Sequence, residues 1–386
     1  MSENRLQIAF LTSSDSRNKR TWSGMPYYMS KALERNVGNV DYLGPVNLRF
    51  SFFKGKVISF FCQKILKKRF DYFHSLSVAK SYAKIFSKKL NEKKYDLIFA
   101  PASSEIAYIN TDIPIVYISD TTIELSRNYH KALTNLLECS YRQAIDIEKA
   151  VLKKATIISY PTSWAAKSAI SDFNTPLEKI FVIPFGANID ESPSPEIAYS
   201  RKLTEKCRLF FLGVNWEEKG GTIAIDTLNA LINMGIDAEL TICGCVPYPK
   251  ISHSKIKIIP FLDKNDEKQL RQLIELFINS DFLILPTRFE AYGLVICEAS
   301  AFGLLSIASD TGGVSGVIKE NVNGFLLSLD ATGYKYAQKI ASIFSDEKKY
   351  QSLAISSRKL YEEKLNWDSW ALQIKSACEK IILNKK

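Results

Sequence analysis

Residues 281–313 read DFLILPTRFEAYGLVICEASAFGLLSIASDTGG and contain the clearest sign of an α/β fold. The apolar run at 282–285 ends at Pro286, a short polar turn follows, and residues 293–302 have the pattern of a helix. Strand, turn and helix in this order form the repeating unit of proteins with parallel sheets. Because such sheets bind ligands beyond the carboxyl ends of their strands, we predict a ligand site at this turn.

Two glutamates flank the turn with seven residues between them, Glu290 at the helix start and Glu298 about two turns inside. The free N–H groups of Tyr292, Gly293 and Leu294 would bind a diphosphate, and the inner carboxylate would accept hydrogen bonds from a ribose diol. An alternative is purely structural: the helix dipole favours an acid at the helix start, and Glu298 would face solvent. The spacing alone leaves both interpretations open.

The composition is that of a globular protein with two or three domains. The 386 residues are 46% hydrophobic and 24% charged, and the seven cysteines include no CxxC pair. The first residues lack the pattern of a signal peptide, and no uncharged stretch reaches the length of a membrane span. We therefore expect a cytoplasmic protein.

Residues 49–94 carry much of the net charge of +10, with 13 Lys and Arg against two acidic residues. The aromatic residues among these charges include Phe50, Phe52, Phe53, Phe60, Phe61, Phe70, Tyr72 and Phe73. The pattern predicts a basic amphipathic surface for anionic lipid headgroups on the inner face of the cytoplasmic membrane, which would suit a lipid-linked acceptor. Solvated helices with aromatic core residues are the alternative. Nucleic-acid binding is not expected, since no nucleic-acid-binding motif is present.

An apolar run at 7–14 is followed by a loop and by Trp22-Ser23-Gly24-Met25-Pro26, which leads into a helix. Ser23 is the predicted N-cap, and Gly24 would let a phosphate or a sugar approach the backbone. Simple helix capping is the alternative role for these residues.

Strand and helix patterns alternate along the whole chain, which predicts two parallel sheets of similar size that face each other across a cleft. The further strands are expected at 40–43, 95–100, 113–119, 156–160, 180–184, 209–214, 238–243, 257–261, 305–308 and 325–327. The helices are expected at 129–153, 164–173, 220–234 and 267–279. Residues 191–206 are rich in Ser, Pro and charge and are the predicted linker between a domain at 1–190 and a domain at 207–366.

Two further ionisable residues follow predicted strands. Asp120 would contact sugar or acceptor hydroxyls, although an Asp after a strand is more often a helix cap. Lys219 precedes Gly220-Gly221 and a helix, so its ammonium would reach a phosphate at the neighbouring strand ends. A solvated lysine in a polar turn is the alternative.

Residues 290–313, together with 213–221 and 22–28, resemble the family 4 retaining glycosyltransferases of GT-B architecture. The resemblance implies two Rossmann-like domains, with acceptor binding in the first and nucleotide-sugar binding in the second. It implies that Glu298 binds the ribose of the donor, that Glu290 lies beside the donor sugar, and that Gly24 and Lys219 approach the diphosphate. It also implies that a last helix at 367–386 packs back on the first domain.

The predicted catalytic residues are Glu290, Lys219 and Asp120. The predicted donor-binding residues are Gly24, Lys219, Arg288, Glu290, Ala291, Tyr292, Gly293, Leu294 and Glu298. No metal is expected to take part, because no Asp-x-Asp stands at a strand end and no His or Cys residues fall at ligand spacing.

The sequence departs from the family pattern at one phosphate contact, since Gly213-Val214 stands where Gly-Arg is usual and Glu218 precedes Lys219. Arg288, or Arg17 or Arg20 of the first domain, would then supply the missing charge. The histidine that many relatives carry in the first domain has no clear counterpart, and Asp120 is nearest in position.

The expected function is transfer of a sugar from a nucleotide sugar, with retention of anomeric configuration, to a cell-envelope glycan or a lipid-linked saccharide. Polysaccharide or lipopolysaccharide biosynthesis is the expected context. The alternatives are a non-catalytic binding or scaffold subunit and another enzyme of the same architecture, such as a nucleotide-sugar epimerase or a phosphorylase.

Overall fold

A computed structural model describes residues 5–248 and 251–381. The chain forms two compact units, Met1–Ile183 with Trp370–Lys386, and Pro184–Ser369. Each unit is an α/β structure built on a parallel sheet, which confirms the predicted fold class. No helix of the described ranges combines the length and the hydropathy needed to cross a membrane.

The described part of the first unit is built on a sheet of six parallel strands: β1 (Leu6–Phe10), β2 (Gly38–Tyr42), β3 (Leu97–Ala100), β4 (Ile115–Ile118), β5 (Ile157–Tyr160) and β6 (Ile180–Val182). They lie in the order β2-β1-β3-β4-β5-β6. The strands β3, β4 and β5 are wholly buried, and their sequences, apolar except for Ser159, suit a sheet that is covered on both faces. The order reverses between β1 and β3, so ligands are expected at the carboxyl ends of these two strands.

The helices of this unit that precede β6 are α1 (Met25–Asn36), α2 (Arg49–Phe61), α3 (Leu76–Leu90), α4 (Ser103–Ile106), α5 (Ile123–Ser126), α6 (Glu138–Lys154) and α7 (Ser163–Ser171). A single π-helical turn, Cys62–Leu66, follows α2. Helix α3 shows how the core is covered, since Val78, Tyr82 and Phe86 recur at helical intervals and are buried. Its N-cap is Ser75, whose hydroxyl accepts a hydrogen bond from the Val78 N–H at 3.4 Å.

The helix predicted at 129–153 is shorter in the structure, because α6 begins only at Glu138. Residues Lys131–Leu133 form a 3₁₀ turn instead. Asn128 and Asn135 both have a φ of 56°, which an α-helix cannot contain. The apolar pattern continues through this turn, and for that reason the sequence predicted too long a helix.

The second unit contains β7 (Cys207–Leu212), β8 (Ala238–Cys243), β9 (Ile256–Ile259), β10 (Phe282–Leu285), β11 (Leu305–Ser309) and β12 (Gly324–Leu327). The strand order is β12-β11-β10-β7-β8-β9, and all the pairs are parallel. The chain visits β8 and β9 before it returns to place β10 beside β7. This reversal puts the loops after β7 and β10 next to each other, at the position where open α/β sheets bind ligands.

The helices of the second unit are α8 (Pro195–Tyr199), α9 (Gly221–Asn233), α10 (Glu267–Asn279), α11 (Leu294–Ala301), α12 (Val314–Val317), α13 (Gly333–Phe344) and α14 (Glu347–Glu363). Helices α9 and α13 cover one face of the sheet with apolar residues such as Leu228 and Ile340, both of which are fully buried.

The predicted linker at 191–206 lies within the second unit and contains the short helix α8. The buried Arg201 fixes this segment, because its guanidinium donates to the backbone carbonyls of Phe277, Ser280 and Phe302. An arginine with all these bonds is stable in a core position that its charge would otherwise forbid. The segment that was predicted to be an interdomain linker from its polar composition is therefore packed against α10 and α11.

The last helix, α15 (Trp367–Ile381), passes from the second unit to the first, with the change at Trp370. The indole of Trp370 is fully buried and packs edge-to-face against Phe99 of β3, with 6.5 Å between the ring centroids. The predicted helix at 367–386 extends further than the described residues, since 382–386 lie outside them.

Candidate functional site

The loops after β7 and β10 form one connected rim in the second unit. The Arg288 N–H donates to the Glu218 carbonyl at 2.7 Å, and the Thr287 hydroxyl donates to the same carbonyl at 3.1 Å. Between them Gly220 has a φ of 73°, and a Cβ on it would lie 1.9 Å from the Pro286 carbonyl oxygen. Only glycine fits such a close approach in this backbone region. The two loops are therefore fixed relative to each other.

Lys219 and Glu290, which are 71 residues apart, form an ion pair on this rim. The Lys219 ammonium lies 2.7 Å from Oε2 of Glu290 and 3.3 Å from the carbonyl oxygen of Phe289. The side chains are 18% and 15% exposed, so the pair is mostly shielded and still accessible. Lys219 also passes close over Gly213, where a Cβ would lie 2.8 Å from its Cγ. The predicted phosphate anchor and the predicted catalytic acid thus lie together.

Helix α11 begins beside this pair. Its N-cap is Gly293, with a φ of 103°, and its first residue is Leu294. The first N–H groups of any helix have no acceptor within the helix and carry its positive dipole end. Ala291 and Tyr292 precede the cap and are buried. The start of α11 can therefore bind an anion through the backbone.

The side chain of Tyr292 is structural. Its hydroxyl donates to the Phe185 carbonyl at 2.9 Å, and its ring lies edge-to-face against the Phe185 ring. Burial raises the pKa of Tyr292, so the hydroxyl stays a donor. Any contact of this residue with a ligand would use its backbone N–H.

Glu298 lies inside α11 and is only 4% exposed, so the interpretation that it faces solvent is wrong. The Lys264 ammonium lies 2.5 Å from its Oε1 and 3.0 Å from the carbonyl oxygen of Asn188. Burial raises the pKa of Glu298, while Lys264 and the Asn188 N–H oppose this shift. The carboxylate is held in one orientation.

Lys264 is the residue that the sequence interpretation missed. It stands in the loop FLDKND between β9 and α10. The signal that could have identified it was a lysine in the turn after a predicted strand. Each glutamate of the pair with seven residues between them thus has its own lysine, Lys219 for Glu290 and Lys264 for Glu298.

Arg288 is the predicted substitute for the basic residue that is missing beside Lys219, but its guanidinium contacts a different loop. The exposed Arg288 donates through its guanidinium to the Leu329 carbonyl, beyond the edge strand β12. Val214, at the position of the usual arginine, is 71% exposed on the rim. Arg17 of the first unit lies over the ring of Tyr42, 5.0 Å from its centroid.

Gly24 and Asp120 belong to the first unit. Gly24 itself, with a φ of 92°, is the N-cap of α1, so the prediction of Ser23 as the cap is wrong. Thr122 caps α5 by accepting a hydrogen bond from the Leu125 N–H at 3.2 Å. The capping role considered for Asp120 is therefore filled by Thr122, and Asp120 lies in the turn between β4 and α5.

The first unit also contains a set of buried and half-buried ionisable groups that the sequence did not indicate. Asp71 pairs with His74 at 2.6 Å, Glu105 accepts from the Ser13 N–H, and Glu148 accepts from the Ile123 N–H. Burial raises the pKa of Glu148 to about 7. Burial alone would lower the pKa of His74, but the hydrogen bond and charge of Asp71 raise it, with smaller contributions from Glu148 and Glu105. Asp71 and His74 are three residues apart, but Glu105 and Glu148 come from distant segments, so no spacing links the whole set.

Across residues 5–248 and 251–381, no group of three or more His, Cys, Asp or Glu side chains is placed to bind a metal ion.

Comparisons with known proteins give a match to a family model over part of the chain. Residues 196–360 match the model of the glycosyl transferases group 1. A glycogen synthase of Pseudomonas syringae is 39% identical over 69 residues, which are 18% of this chain and 14% of that protein. The chain thus matches only a small share of the length of this glycogen synthase.

Solved structures match over nearly the whole chain. A sucrose-phosphate synthase of Thermosynechococcus elongatus has a TM-score of 0.68 at 15% identity, over 98% of this chain and 100% of that one. An Anabaena protein solved in complex with UDP and glucose has a TM-score of 0.61 at 15% identity, over 97% and 100%. At these identities the likeness shows the fold, which is GT-B. The chain therefore has the GT-B fold, and its residues 196–360 match the glycosyl transferases group 1.

Proposed function

We propose that the chain transfers a sugar from a nucleotide-sugar donor to an acceptor hydroxyl, and that the second unit binds the donor. The observation that carries this proposal is the pair of lysine-anchored glutamates, one on the rim and one inside α11. A positive helix end, a nearby ammonium and a fixed carboxylate are the groups needed to bind a diphosphate and a ribose together.

The diphosphate would lie at the start of α11, within reach of Lys219. When the bond between the anomeric carbon and the diphosphate oxygen breaks, negative charge develops on that oxygen. The ammonium of Lys219 and the first N–H groups of α11 would stabilise this charge more strongly than they stabilise the bound donor. Because these groups already supply positive charge, we propose that transfer requires no metal ion.

Glu298 would accept hydrogen bonds from the ribose hydroxyls of the donor. Its Oε1 is bound by Lys264, which leaves the other carboxylate oxygen oriented by the helix and by the backbone near Asn188. A carboxylate held by a lysine has few rotamers, so little conformational entropy is lost when a diol binds.

Glu290 would orient the donor sugar, in keeping with retention of its configuration. In the proposed reaction the acceptor oxygen bonds to the anomeric carbon on the face from which the diphosphate leaves. The acceptor proton moves to the departing phosphate oxygen, so no enzyme nucleophile is needed. Lys219, 2.7 Å from Glu290, would hold that carboxylate in place.

The acceptor would be a cell-envelope glycan or a lipid-linked saccharide, with Asp120 of the first unit as a proposed contact, while Gly24 is proposed to approach the diphosphate of the donor. A second candidate, a subunit that binds nucleotides without turnover, is favoured by one observation. The exposed Val214 stands where the family has an arginine, which removes one phosphate contact.

Calorimetry with UDP, ADP and GDP tests donor binding, and release of free sugar from the matching nucleotide sugars tests turnover. UDP is the first probe, since the structurally similar Anabaena protein was solved with it. Glu298→Gln should weaken nucleotide binding about tenfold or more through the lost ribose contact. The control is Glu239→Gln, which breaks a Lys–Glu pair on the surface of the same unit. Binding without turnover would favour the non-catalytic subunit, and no binding of any nucleotide at millimolar concentration would refute the donor site.

A further inference from the structure

Helix α2 and the π-helical turn after it expose an unusual amount of apolar surface. Phe50, Phe53 and Ile65 are 70%, 66% and 72% exposed. The exposed apolar residues of α2 include Phe50, Phe53, Val57, Phe60 and Phe61, whose spacing places them on one face of the helix. Ile65 and Leu66 continue this apolar surface into the turn.

The opposite face of α2 attaches the helix to its unit. The Phe52 ring packs against the rings of Tyr72, Phe73 and Tyr82, with centroid distances of 5.9, 5.5 and 6.4 Å. Gly55 is buried, and a Cβ on it would lie 2.4 Å from the Cβ of Tyr72. The helix therefore cannot turn its phenylalanine face inward without losing these contacts, so this face stays exposed within the described part of the unit.

The exposed face is surrounded by positive charge. Residues 49–70 contain seven basic residues and no acidic one; the basic residues are Arg49, Lys54, Lys56, Lys64, Lys67, Lys68 and Arg69. The ammonium of Lys54 lies 4.4 Å from the ring centroid of Phe50, and that of Lys64 lies 5.8 Å from that of Phe60. Apolar rings and cations thus share one surface.

This combination selects one class of partner. A second copy docking through the same surface would bring two sets of seven positive charges together, which is unfavourable. A bilayer with anionic headgroups accepts both components, since aromatic rings enter the boundary between headgroups and acyl chains while lysines meet the phosphates.

We propose that α2 and the turn Cys62–Leu66, together the α2 surface, dock the chain on an anionic lipid bilayer. The helix would lie parallel to the membrane plane, with Phe50, Phe53, Phe60 and Phe61 inserted at headgroup depth. The proposed membrane-binding surface is restricted to α2 and this turn. It does not include the whole stretch 49–94, because the aromatic residues Phe52 and Tyr72 face the unit instead. The proposal does not depend on the transfer reaction.

Vesicle flotation of the full chain tests it. One vesicle population contains phosphatidylcholine alone and the other contains about one third phosphatidylglycerol. We expect flotation with the anionic vesicles only, and a strong reduction between about 0.1 M and 1 M NaCl, because salt screens the lysine–headgroup attraction. Equal binding to both populations at all salt concentrations would overturn the proposal, as would no binding to either.

Two double variants test whether vesicle binding depends on the α2 surface or on exposed apolar and basic side chains in general. Phe53→Ser with Phe60→Ser should lower vesicle affinity at least about tenfold, because two inserted rings are lost. The matched control, Leu177→Ser with Val182→Ser, removes two other exposed apolar side chains of the same unit and should bind as the parent does. Lys54→Gln with Lys64→Gln should weaken binding to anionic vesicles, with Lys153→Gln and Lys167→Gln as the control.

Circular dichroism melting and UDP binding show whether each variant is folded, and light scattering measures its oligomeric state. A folded phenylalanine variant that binds vesicles like the parent would refute the α2 surface. A parent dimer that the phenylalanine variant abolishes, without vesicle binding, would assign the surface to a second copy instead. If the parent binds vesicles but no nucleotide, the membrane proposal stands and the proposed function fails.

Discussion

The ammonium of Lys264 lies 2.5 Å from Oε1 of Glu298, and both side chains are nearly buried. A carboxylate inside a helix with so little solvent is costly unless a cation or hydrogen bonds compensate. Lys264 supplies both and also binds the Asn188 carbonyl, so it links α11 to two loops of the second unit. The arrangement prepares Glu298 as an oriented hydrogen-bond acceptor.

Lys264→Met should destabilise the protein by about 3 kcal/mol at neutral pH, because it leaves a buried carboxylate unpaired. The loss should shrink as the pH falls, because Glu298 in the variant, with its pKa raised by burial, can take up a proton. Thermal unfolding at several pH values measures both effects. Lys255→Met is the control, since it breaks an exposed pair with Asp237 of similar length. An equal loss in the two variants would contradict a special role for Lys264.

The sequence predicted the strands of both sheets well and the contacts within the site only in part. Apolar runs such as 282–285 are bounded by polar turns, so each strand is visible locally. Lys219 and Glu290 follow neighbouring strands, and the rule for strand ends was enough to join them. The contact between Lys264 and Glu298 depends on how far the loop after β9 reaches, and no local pattern encodes that distance. The same holds for Arg201, whose acceptors are backbone carbonyls.

Gly220→Ala should destabilise the second unit by roughly 3 kcal/mol or more, since the new Cβ would collide with the Pro286 carbonyl and must displace β10 or the helix α9. Gly235→Ala is a matched control. Gly235 also has a positive φ, 81°, but nothing lies within 4 Å of the added carbon, so the expected cost is only about 1 kcal/mol. Urea unfolding measures the difference, which isolates the contact between the two loops. Similar losses in the two variants would mean that the loops are not held together as described.

Glu148→Gln should flatten the pH dependence of stability. Burial raises the pKa of Glu148 to about 7, from an ordinary value of 4.5. Between these values the folded protein holds a proton that the unfolded chain has released, so the free energy of unfolding falls as the pH rises. Part of the slope should remain, because His74, whose pKa is also raised, loses its stabilising charge as the pH rises through its folded pKa. Melting temperatures between about pH 5 and 8 test this, with the exposed Glu178→Gln as the control. An unchanged slope would show that Glu148 does not titrate there.

Lys219→Met should lower the rate of sugar transfer on the order of 10²-fold, as removal of one group that stabilises a developing oxyanion does. Nucleoside diphosphate binding should weaken more than nucleoside monophosphate binding, because the ammonium is proposed to contact the phosphate next to the sugar. Lys206→Met, which breaks the exposed pair with Glu239, is the control. Equal weakening of UDP binding and UMP binding would contradict a contact between Lys219 and the diphosphate. Lys219 would then be a structural partner of Glu290.

Glu290→Gln separates the two roles of the ion pair on the rim. Glu290 holds the Lys219 ammonium at 2.7 Å and thus competes with a diphosphate for the same cation. The neutral amide binds the ammonium more weakly, so nucleoside diphosphate binding should tighten by roughly threefold to tenfold. Transfer should nevertheless slow on the order of 10²-fold, because the donor sugar loses its carboxylate partner. Calorimetry and initial rates measure the two effects on the same preparation. If binding and rate fell together, Glu290 would act by holding Lys219 in position rather than by contacting the sugar.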